Sequence, residues 1–343
     1  MEKKKILILN TGGTIGMTRT EDGYRPEGNY LSATLRNMDA LRADEMPLWD
    51  YAETPQLLDS SNMTVDDWNI IGRMIAGSYA SYDGFVVLHG TDTMAYTASA
   101  LSFMLENLEK PVILTGSQIP LCEVRSDGRD NLITSMLIAA SGRIREVCIY
   151  FGNRLLRGNR TIKYSADGLI AFLSPNYPAL AETGISIRYS DTGASLPAST
   201  GPFRLTLLKS IPIGVIKVFP GIQFSLFEQI MTESLQGVVI ETFGSGNIPL
   251  QSDALLPVIE KAFLNGTVVT VCSQCPQGTV SLGTYETSSG LKKAGAVSGL
   301  DITTEAAVTK LYYLFSLGYD RDTVKSLMGR SLRGEMTEVE NED

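Results

Sequence analysis

Short polar side chains follow four predicted strands of this sequence, at the points where the strands end. They are Thr14, the run Asp59-Ser60-Ser61, the pair Thr91-Asp92, and Lys163. In open α/β sheets, ligands bind beyond the carboxyl ends of the strands, so we expect these groups to meet in one pocket. A carboxylate such as Asp92 can pair with a ligand ammonium, while Ser60 and Ser61 can hold a ligand carboxylate. The pattern therefore predicts a pocket for a small zwitterion.

A threonine hydroxyl in such a pocket could attack a side-chain carbonyl carbon. Threonine is a weak nucleophile and needs a base within hydrogen-bonding reach, and Tyr24 and Lys163 are the candidate bases. A buried lysine is readily pushed towards its neutral form, so Lys163 could take a proton through Thr91. Gly90 and neighbouring loop amides could stabilise an oxyanion.

Each of these residues also has a structural interpretation. Thr14 could cap a helix, Asp92 could cap the helix that begins at Thr93, and Lys163 could be a surface lysine. His89 ends a buried strand, and we interpret it as a packed, hydrogen-bonded histidine rather than as the base. The joint placement at strand ends favours a functional role.

Several common chemistries are excluded by simple counting. The chain has one histidine, so a metalloprotease helix with two histidines is impossible. It contains neither a Gly-x-Ser-x-Gly elbow nor a Gly-Lys-Ser/Thr phosphate loop. The first loop reads Gly-Gly-x-x-Gly, which disfavours a dinucleotide site. Cys272 and Cys275 have redox spacing without a second pair, so we interpret them as small apolar side chains and expect no cofactor.

Composition bounds the protein class. A chain of 343 residues suits two domains, since single cores stop growing at about 250 to 300 residues. A net charge of −9 disfavours nucleic-acid binding, which depends on basic side chains. No apolar run approaches the roughly 20 residues that span a bilayer, so we expect a cytoplasmic protein without membrane association. Its four cysteines are then expected to be reduced.

The strand that must position Thr14 is the apolar run 6–9, which opens into Gly12 and Gly13. A continuous run of this kind is typical of a parallel strand covered on both faces, and glycines let the backbone turn sharply. Further strands are predicted at 52–57, 84–88, 111–114 and 146–151, and helices at 30–37, 64–78, 93–105 and 127–140. This alternation predicts an α/β fold with a parallel, doubly wound sheet.

A change of composition divides the chain. Residues 191–212 are rich in Ser, Thr, Gly, Pro and Ala, which predicts a linker between an N-terminal catalytic domain, 1–190, and a smaller C-terminal α/β domain, 213–343. In the latter we expect strands at 213–218, 238–240 and 268–271 and helices at 224–235, 255–265 and 304–317.

Three further segments have distinct predictions. The polar, glycine-punctuated stretch 19–29 is expected to be a mobile lid that carries Tyr24. The basic cluster 154–160 is interpreted as a solvated loop that positions Lys163. The acidic end, 335–343, is expected to be a solvated tail.

At these residues the sequence resembles the bacterial-type L-asparaginases, and within them the cytoplasmic type I group. Thr11-Gly12-Gly13-Thr14-Ile15-Gly16 matches the first signature of that family, and His89-Gly90-Thr91-Asp92-Thr93-Met94 matches the second. The likeness extends to Asp59-Ser60-Ser61-Asn62-Met63-Thr64, Thr115-Gly116-Ser117-Gln118-Ile119-Pro120 and Arg157-Gly158-Asn159-Arg160-Thr161-Ile162-Lys163. It covers essentially the whole chain.

The resemblance implies hydrolysis of L-asparagine to L-aspartate and ammonia through an acyl-enzyme, without metal or organic cofactor. Thr14 would be the nucleophile and Tyr24 its lid partner. Thr91, Asp92 and Lys163 would form a second polar triad, and the run Asp59-Ser60-Ser61 would hold the α-groups of the substrate. Self-association to a homodimer or homotetramer is implied as well.

Two other functions use the same residues. The amidase subunit of a tRNA-dependent amidotransferase shares this catalytic domain, but it predicts a basic RNA-facing surface and an extra N-terminal domain, against which the acidic charge and the strand starting at Ile6 argue. A catalytically silent amino-acid sensor would keep the pocket and bind asparagine without consuming it.

Overall fold

The computed structural model describes residues 3–21, 23–190, 196, 201–249, 255–283 and 286–338. The chain divides into two compact units, Met1–Thr206 and Leu207–Asp343. Of the predicted linker, 191–195 and 197–200 lie outside the described residues, whereas Arg204–Leu205 form a short strand of the first unit. The domain boundaries at 190 and 213 stay a prediction.

The first unit alternates strands and helices, as predicted. Its strands are β1 (Lys5–Gly12), β2 (Met17–Thr20), β3 (Gly23–Pro26), β4 (Leu48–Leu58), β5 (Gly84–Leu88), β6 (Leu105–Glu106), β7 (Val112–Thr115), β8 (Val147–Phe151), β9 (Arg154–Arg157), β10 (Ile162–Lys163), β11 (Phe172–Leu173), β12 (Ala181–Thr183), β13 (Ile187–Tyr189) and β14 (Arg204–Leu205). Its helices are α1 (Tyr30–Arg36), α2 (Val65–Ser78), α3 (Met94–Met104) and α4 (Gly128–Ala140).

Within the described residues, the main sheet of this unit has eight strands in the order β13-β12-β9-β8-β7-β5-β1-β4. Five neighbouring strands of this sheet, β4, β1, β5, β7 and β8, run parallel, which confirms the predicted α/β architecture. The β9, β12 and β13 strands extend the sheet in antiparallel fashion. The sequence did not reveal this extension, because its strands are three or four residues long and partly charged.

The apolar run of β1 is buried on both faces, since Ile6, Leu7, Ile8 and Leu9 are each at most 4% exposed. The strand lies between β4 and β5, where both neighbours are parallel to it. The loop with Thr14 therefore follows a strand that is hydrogen-bonded along both edges.

The cluster 154–160 is not a solvated loop, so that prediction is wrong. Arg157 and Arg160 are buried, and the Arg157 guanidinium donates to Glu146 Oε2 at 2.6 Å. Both guanidinium groups also lie over the ring of Tyr177. Ion pairing and aromatic stacking offset the cost of burying these charges, and they could not be inferred from local composition.

The second unit is a smaller α/β unit, as predicted. Its strands β15 (Ile213–Lys217), β16 (Gly237–Thr242), β17 (Val268–Ser273) and β18 (Val297–Ser298) form a parallel sheet in that order. Its helices are α5 (Leu255–Leu264), α6 (Glu286–Lys293), α7 (Thr304–Ser316) and α8 (Arg321–Met328).

The predicted helix over 224–235 is irregular instead. A 3-10 helix, Phe224–Phe227, is followed by a π-helical turn, Ile230–Ser234. The Thr267 hydroxyl lies 3.0 Å from Met231 O and 2.6 Å from Leu235 O, and the Asn265 amide donates to Thr232 O. These side chains bind carbonyl groups of the segment from outside it, which favours a wider turn than the α-helix has.

The predicted solvated tail is wrong for its first two residues, Glu335 and Met336, which are buried. Glu335 is fully buried and pairs with the equally buried Lys310 at 2.7 Å. The same carboxylate accepts the backbone N–H groups of Leu332 and Arg333. Burial lowers the pKa of Lys310, and Glu335 opposes that shift. Residues 339–343 of the predicted tail lie outside the described part of the chain.

Of the four cysteines, Cys148 and Cys272 are buried and Cys122 and Cys275 are exposed, and all four are free thiols. The free thiols agree with the expected reduced state, whereas the interpretation of Cys272 and Cys275 as small apolar side chains stays a prediction. None of the described helices has the length and apolar character that crossing a membrane requires.

His89, at the end of β5, is fully buried and hydrogen-bonded at both ring nitrogens. Its Nδ1 lies 2.7 Å from Gly90 O, so this nitrogen must carry the proton. Its Nε2 lies 2.8 Å from the Thr97 hydroxyl, which in turn accepts from the indole N–H of Trp68 at 3.0 Å. The interpretation of His89 as a packed, hydrogen-bonded residue agrees with these contacts.

We expect His89 to stay neutral throughout the physiological pH range. Burial lowers its pKa from 6.5 to about 4, although the bond to Gly90 opposes the shift. The unfolded chain therefore binds a proton that the folded chain does not, and stability falls as pH drops from 6.5 towards 4. Since the chain has one histidine, its single imidazole signal in NMR reports this directly. Titration near 6.5 in the folded protein would contradict the proposed packing, and the urea-unfolded chain is the reference.

Removing the buried carboxylate of Glu335 should destabilise the second unit strongly. Glu335→Ala leaves Lys310 as an uncompensated buried charge, which typically costs about 3 kcal/mol or more. The matched control is Glu228→Ala, which breaks the exposed pair with Lys261 and should change the stability much less, because exposed ion pairs contribute little. Urea unfolding measures both changes, and equal effects would contradict the importance of the buried pair.

Candidate active site

The loop that carries Thr14 passes unusually close to two neighbouring loops. Gly12 and Gly13 have φ values of 111° and 81°, which side-chain-bearing residues rarely adopt. A Cβ atom at Gly12 would lie 2.2 Å from Leu58 O, and one at Gly13 would lie 2.3 Å from the amide nitrogen of Gly90. Thr14 follows as the half-buried first residue of a short 3-10 helix.

The predicted binding run 59–61 follows β4 and contacts the second signature loop. A Cβ atom at Gly90 would lie 2.5 Å from Ser60 Oγ, and the Thr93 hydroxyl donates to Ser60 O at 2.8 Å. Asp59 accepts from the Ser61 amide at 3.0 Å and from its hydroxyl at 2.9 Å. Ser60 is buried, whereas Asp59 and Ser61 are exposed. The three loops after β1, β4 and β5 thus converge.

Lys163 reaches the same loops from the short strand β10. Its Nζ donates to Thr91 Oγ1 at 3.0 Å and forms an ion pair with Asp92. The Lys163 side chain is 20% exposed and that of Asp92 61%, while Thr91 is buried. The structure therefore brings Lys163 into contact with Thr91 and Asp92, although Lys163 lies 72 positions after Thr91 in the sequence. These three residues were predicted to lie in one pocket.

Gln118, in the loop after β7, is the second hydrogen-bond partner of the Thr91 hydroxyl. The Thr91 hydroxyl donates to Gln118 Oε1 at 3.2 Å. The Gln118 amide group donates to Ala166 O and to Gly168 O, both at 3.1 Å. Gln118 belongs to the motif 115–120, and the sequence alone indicates no role for it.

Tyr24 lies on β3, which pairs with β2 as a hairpin where a lid was expected. Its exposed hydroxyl donates to Glu123 Oε1 at 2.6 Å, and this hydrogen bond raises the pKa of Tyr24. The segment with Glu123 runs beside the first loop, since Leu121 N donates to Ile15 O. Among the described residues, none is hydrogen-bonded to the Thr14 hydroxyl. In this arrangement Tyr24 is thus bonded to Glu123 and not to Thr14.

A polar network of Asn10, Tyr51 and Glu53, which was not predicted from the sequence, supports the first loop where it leaves β1. Asn10 Oδ1 accepts the N–H of Gly12 at 3.0 Å, and Asn10 Nδ2 donates to the Tyr51 hydroxyl at 2.9 Å. That hydroxyl donates to Glu53 Oε1 at 2.6 Å. Burial, and then the bond to Glu53, raise the pKa of Tyr51 and keep it a donor. The signal in the sequence was Asn10 itself, a polar residue at the end of a buried strand.

The arrangement combines a hydroxyl on the loop after β1 with a cation, two carboxylates and further hydroxyls. Such a set can bind both charged α-groups of an amino acid and can support an attack by oxygen on its side chain. Among the residues that the structure describes, no group of three or more His, Cys, Asp or Glu side chains could hold a metal ion.

Comparison with known proteins gives a consistent result. Residues 5–194 match the family model "Asparaginase, N-terminal", and 212–328 match "Glutaminase/Asparaginase C-terminal domain". L-asparaginase 1 of Escherichia coli K12 is 47% identical over 337 residues, which cover 98% of this chain and 99% of that protein.

Two crystallised or otherwise solved proteins agree with this chain over nearly their full length. L-asparaginase I from Vibrio cholerae superposes with a TM-score of 0.91 at 44% identity, covering 98% of this chain and 99% of that one. The thermostable L-asparaginase from Thermococcus kodakarensis gives 0.88 at 31% identity, covering 98% and 100%. Both family models match in order, and the similar proteins named above align over 98% of this chain. The chain therefore belongs to the asparaginase family.

Proposed function

We propose that this protein hydrolyses L-asparagine to L-aspartate and ammonia, with Thr14 as the nucleophile. The observation that carries the proposal is the contact of Lys163 with both Thr91 and Asp92, next to the loop that bears Thr14. A hydroxyl chain linked to a lysine is suited to moving protons during an amide hydrolysis. Membership of the asparaginase family supports the same substrate.

In this proposal the α-groups of the substrate bind at the edge formed by the 59–61 and 91–92 segments. Asp59 and Asp92 supply carboxylates for the α-ammonium group, and the hydroxyls of Ser60 and Ser61 hold the α-carboxylate. Charge-assisted hydrogen bonds at both α-groups fix the side-chain amide over the first loop.

The reaction then proceeds in two displacements. Thr14 Oγ attacks the side-chain amide carbon, the C–N bond breaks, and the hydroxyl proton and nitrogen leave as ammonia. Water attacks the resulting aspartyl ester, and the hydroxyl of Thr14 is restored as aspartate leaves. We assign Lys163 as the proton reservoir for these steps, with Thr91 as its relay and Tyr24 as the lid partner of Thr14. Backbone N–H groups near Gly90 are suited to stabilise the oxyanion.

We further propose that the enzyme is cytoplasmic and acts as a homodimer or homotetramer. This rests on its likeness to the type I group of the family. Light scattering coupled to size-exclusion chromatography distinguishes these assemblies from a monomer.

Ammonia release measured against asparagine concentration tests the proposed reaction, and Thr14→Ala should lower kcat by about a thousandfold or more because the attacking oxygen is lost. The control is Thr34→Ala, since within the described part of the chain the Thr34 hydroxyl donates to Tyr30 O in α1. This variant should keep its activity. If asparagine raised the melting temperature of the wild-type protein without ammonia release, the protein would be an amino-acid sensor and not an enzyme.

The network below the first loop should affect turnover more than substrate affinity. Tyr51→Phe removes the hydroxyl between Asn10 and Glu53, so the support of Gly12 weakens and Thr14 is held less accurately. We expect kcat to fall about tenfold, since small misplacements of reacting groups are costly, with a smaller change in KM. Tyr150→Phe is the matched control, because it also loses a hydroxyl bond, to Thr183. Similar kcat losses in both variants would indicate a general effect of packing.

A further inference from the structure

The orientation of the Gln118 side-chain amide is determined by its surroundings. Its nitrogen lies 3.1 Å from two backbone carbonyl oxygens, those of Ala166 and Gly168. A carbonyl oxygen can only accept, so the amide nitrogen must face these two groups. A flipped amide would point its oxygen at two acceptors and lose both bonds. Gln118 Oε1 therefore faces Thr91.

The backbone that carries this amide is held as well. Asp127, which precedes α4, accepts the N–H of Gln118 at 3.1 Å and that of Ile119 at 3.0 Å. The Asn131 amide donates to Asp127 Oδ2 at 3.2 Å and to Gly116 O at 3.0 Å. Both ends of the loop after β7 are thus attached to the first turns of α4, and Gln118 has little freedom to withdraw from Thr91.

These constraints decide the direction of every hydrogen bond at Thr91. The Gln118 oxygen can only accept, so the single hydroxyl hydrogen of Thr91 points at it. The Lys163 ammonium can only donate, and it uses one lone pair of Thr91 Oγ1. One lone pair remains. Before any proton is transferred, Thr91 is consequently an acceptor and not a donor towards a bound ligand.

We propose that Gln118 is a specificity-determining residue, which makes Thr91 an acceptor and thereby selects a ligand with a side-chain amide over one with a side-chain carboxylate. An amide N–H of asparagine satisfies the free lone pair. The carboxylate of aspartate offers only acceptors, so it either faces that lone pair or takes the hydrogen from Gln118, which then loses its partner. The inference rests on the proposed function, since it assumes that asparagine and aspartate occupy this pocket as substrate and product.

The test compares the affinities of asparagine and aspartate by calorimetry, with Thr14→Ala as the background so that asparagine is not consumed. Gln118→Met keeps the length of the side chain but frees the Thr91 hydrogen for the ligand. We expect the ratio Kd(aspartate)/Kd(asparagine) to fall about tenfold, because the Thr91 hydroxyl can then donate its hydrogen to the carboxylate of aspartate. A loss of affinity that is equal for both ligands would show a structural role only and overturn the proposal.

Gln118→Leu provides the second variant, and Gln229→Met, at an exposed position of the other unit, the control. Leucine is uncharged and likewise frees the Thr91 hydrogen, so the ratio should fall in this variant as well, even if the methionine variant fails to fold. An unchanged or higher ratio in the leucine variant would overturn the proposal, as would a fall in the control. Ammonia release by the wild-type protein tests the proposed asparagine hydrolysis independently of these binding measurements. If neither ligand binds to the Thr14→Ala protein, the role of Gln118 is refuted too.

Discussion

The candidate site depends on backbone segments that approach each other more closely than any side chain would allow. Gly13 lies against Gly90, and a Cβ atom on Gly13 would be 2.3 Å from Gly90 N. Gly12 lies against Leu58, and a Cβ atom on Gly12 would be 2.2 Å from Leu58 O. The parallel pairing of β1 with β4 and β5 makes this approach possible, because it brings all three strands to their ends at the same level. The polar residues that follow these strands are therefore neighbours before any of their side chains interact.

Hydrogen-bond direction is the second organising constraint, and it recurs throughout the first unit. Groups that can only donate or only accept determine the orientation of groups that can do both. The Glu53 carboxylate makes Tyr51 a donor, two carbonyls orient Gln118, and the indole of Trp68 makes Thr97 available to His89 as a donor. In each case a buried polar group is satisfied in one arrangement only, which is typical of well-defined sites.

The sequence predicted those features that depend on local pattern. The buried runs of β1 and β5 and the capped helix α2 were predicted because their apolar pattern is strong. The positions of strand ends predicted one pocket with Thr91, Asp92 and Lys163, while the grouping of these three as a triad came from the resemblance to the asparaginase family. Features that depend on distant partners were missed. The bond from Tyr24 to Glu123 spans 99 positions, and the burial of Arg157 rests on Glu146 and Tyr177. The support of Gly12 by Asn10, Tyr51 and Glu53 likewise arises only when β1 and β4 pair.

The buried pair of Lys310 and Glu335 has a consequence for turnover of the protein by proteases. The segment 331–338 has no helix or strand, a feature that is typical of protease cleavage sites. The carboxylate of its residue Glu335 is nevertheless buried inside the second unit. Cleavage between Gly334 and Glu335 would detach the carboxylate partner of Lys310 and leave its buried ammonium with the carbonyl groups of Met328 and Arg330 as hydrogen-bond partners. One cut near the end of the chain would thus weaken the folded unit itself, and the nicked product would become a better substrate for further degradation than the intact protein.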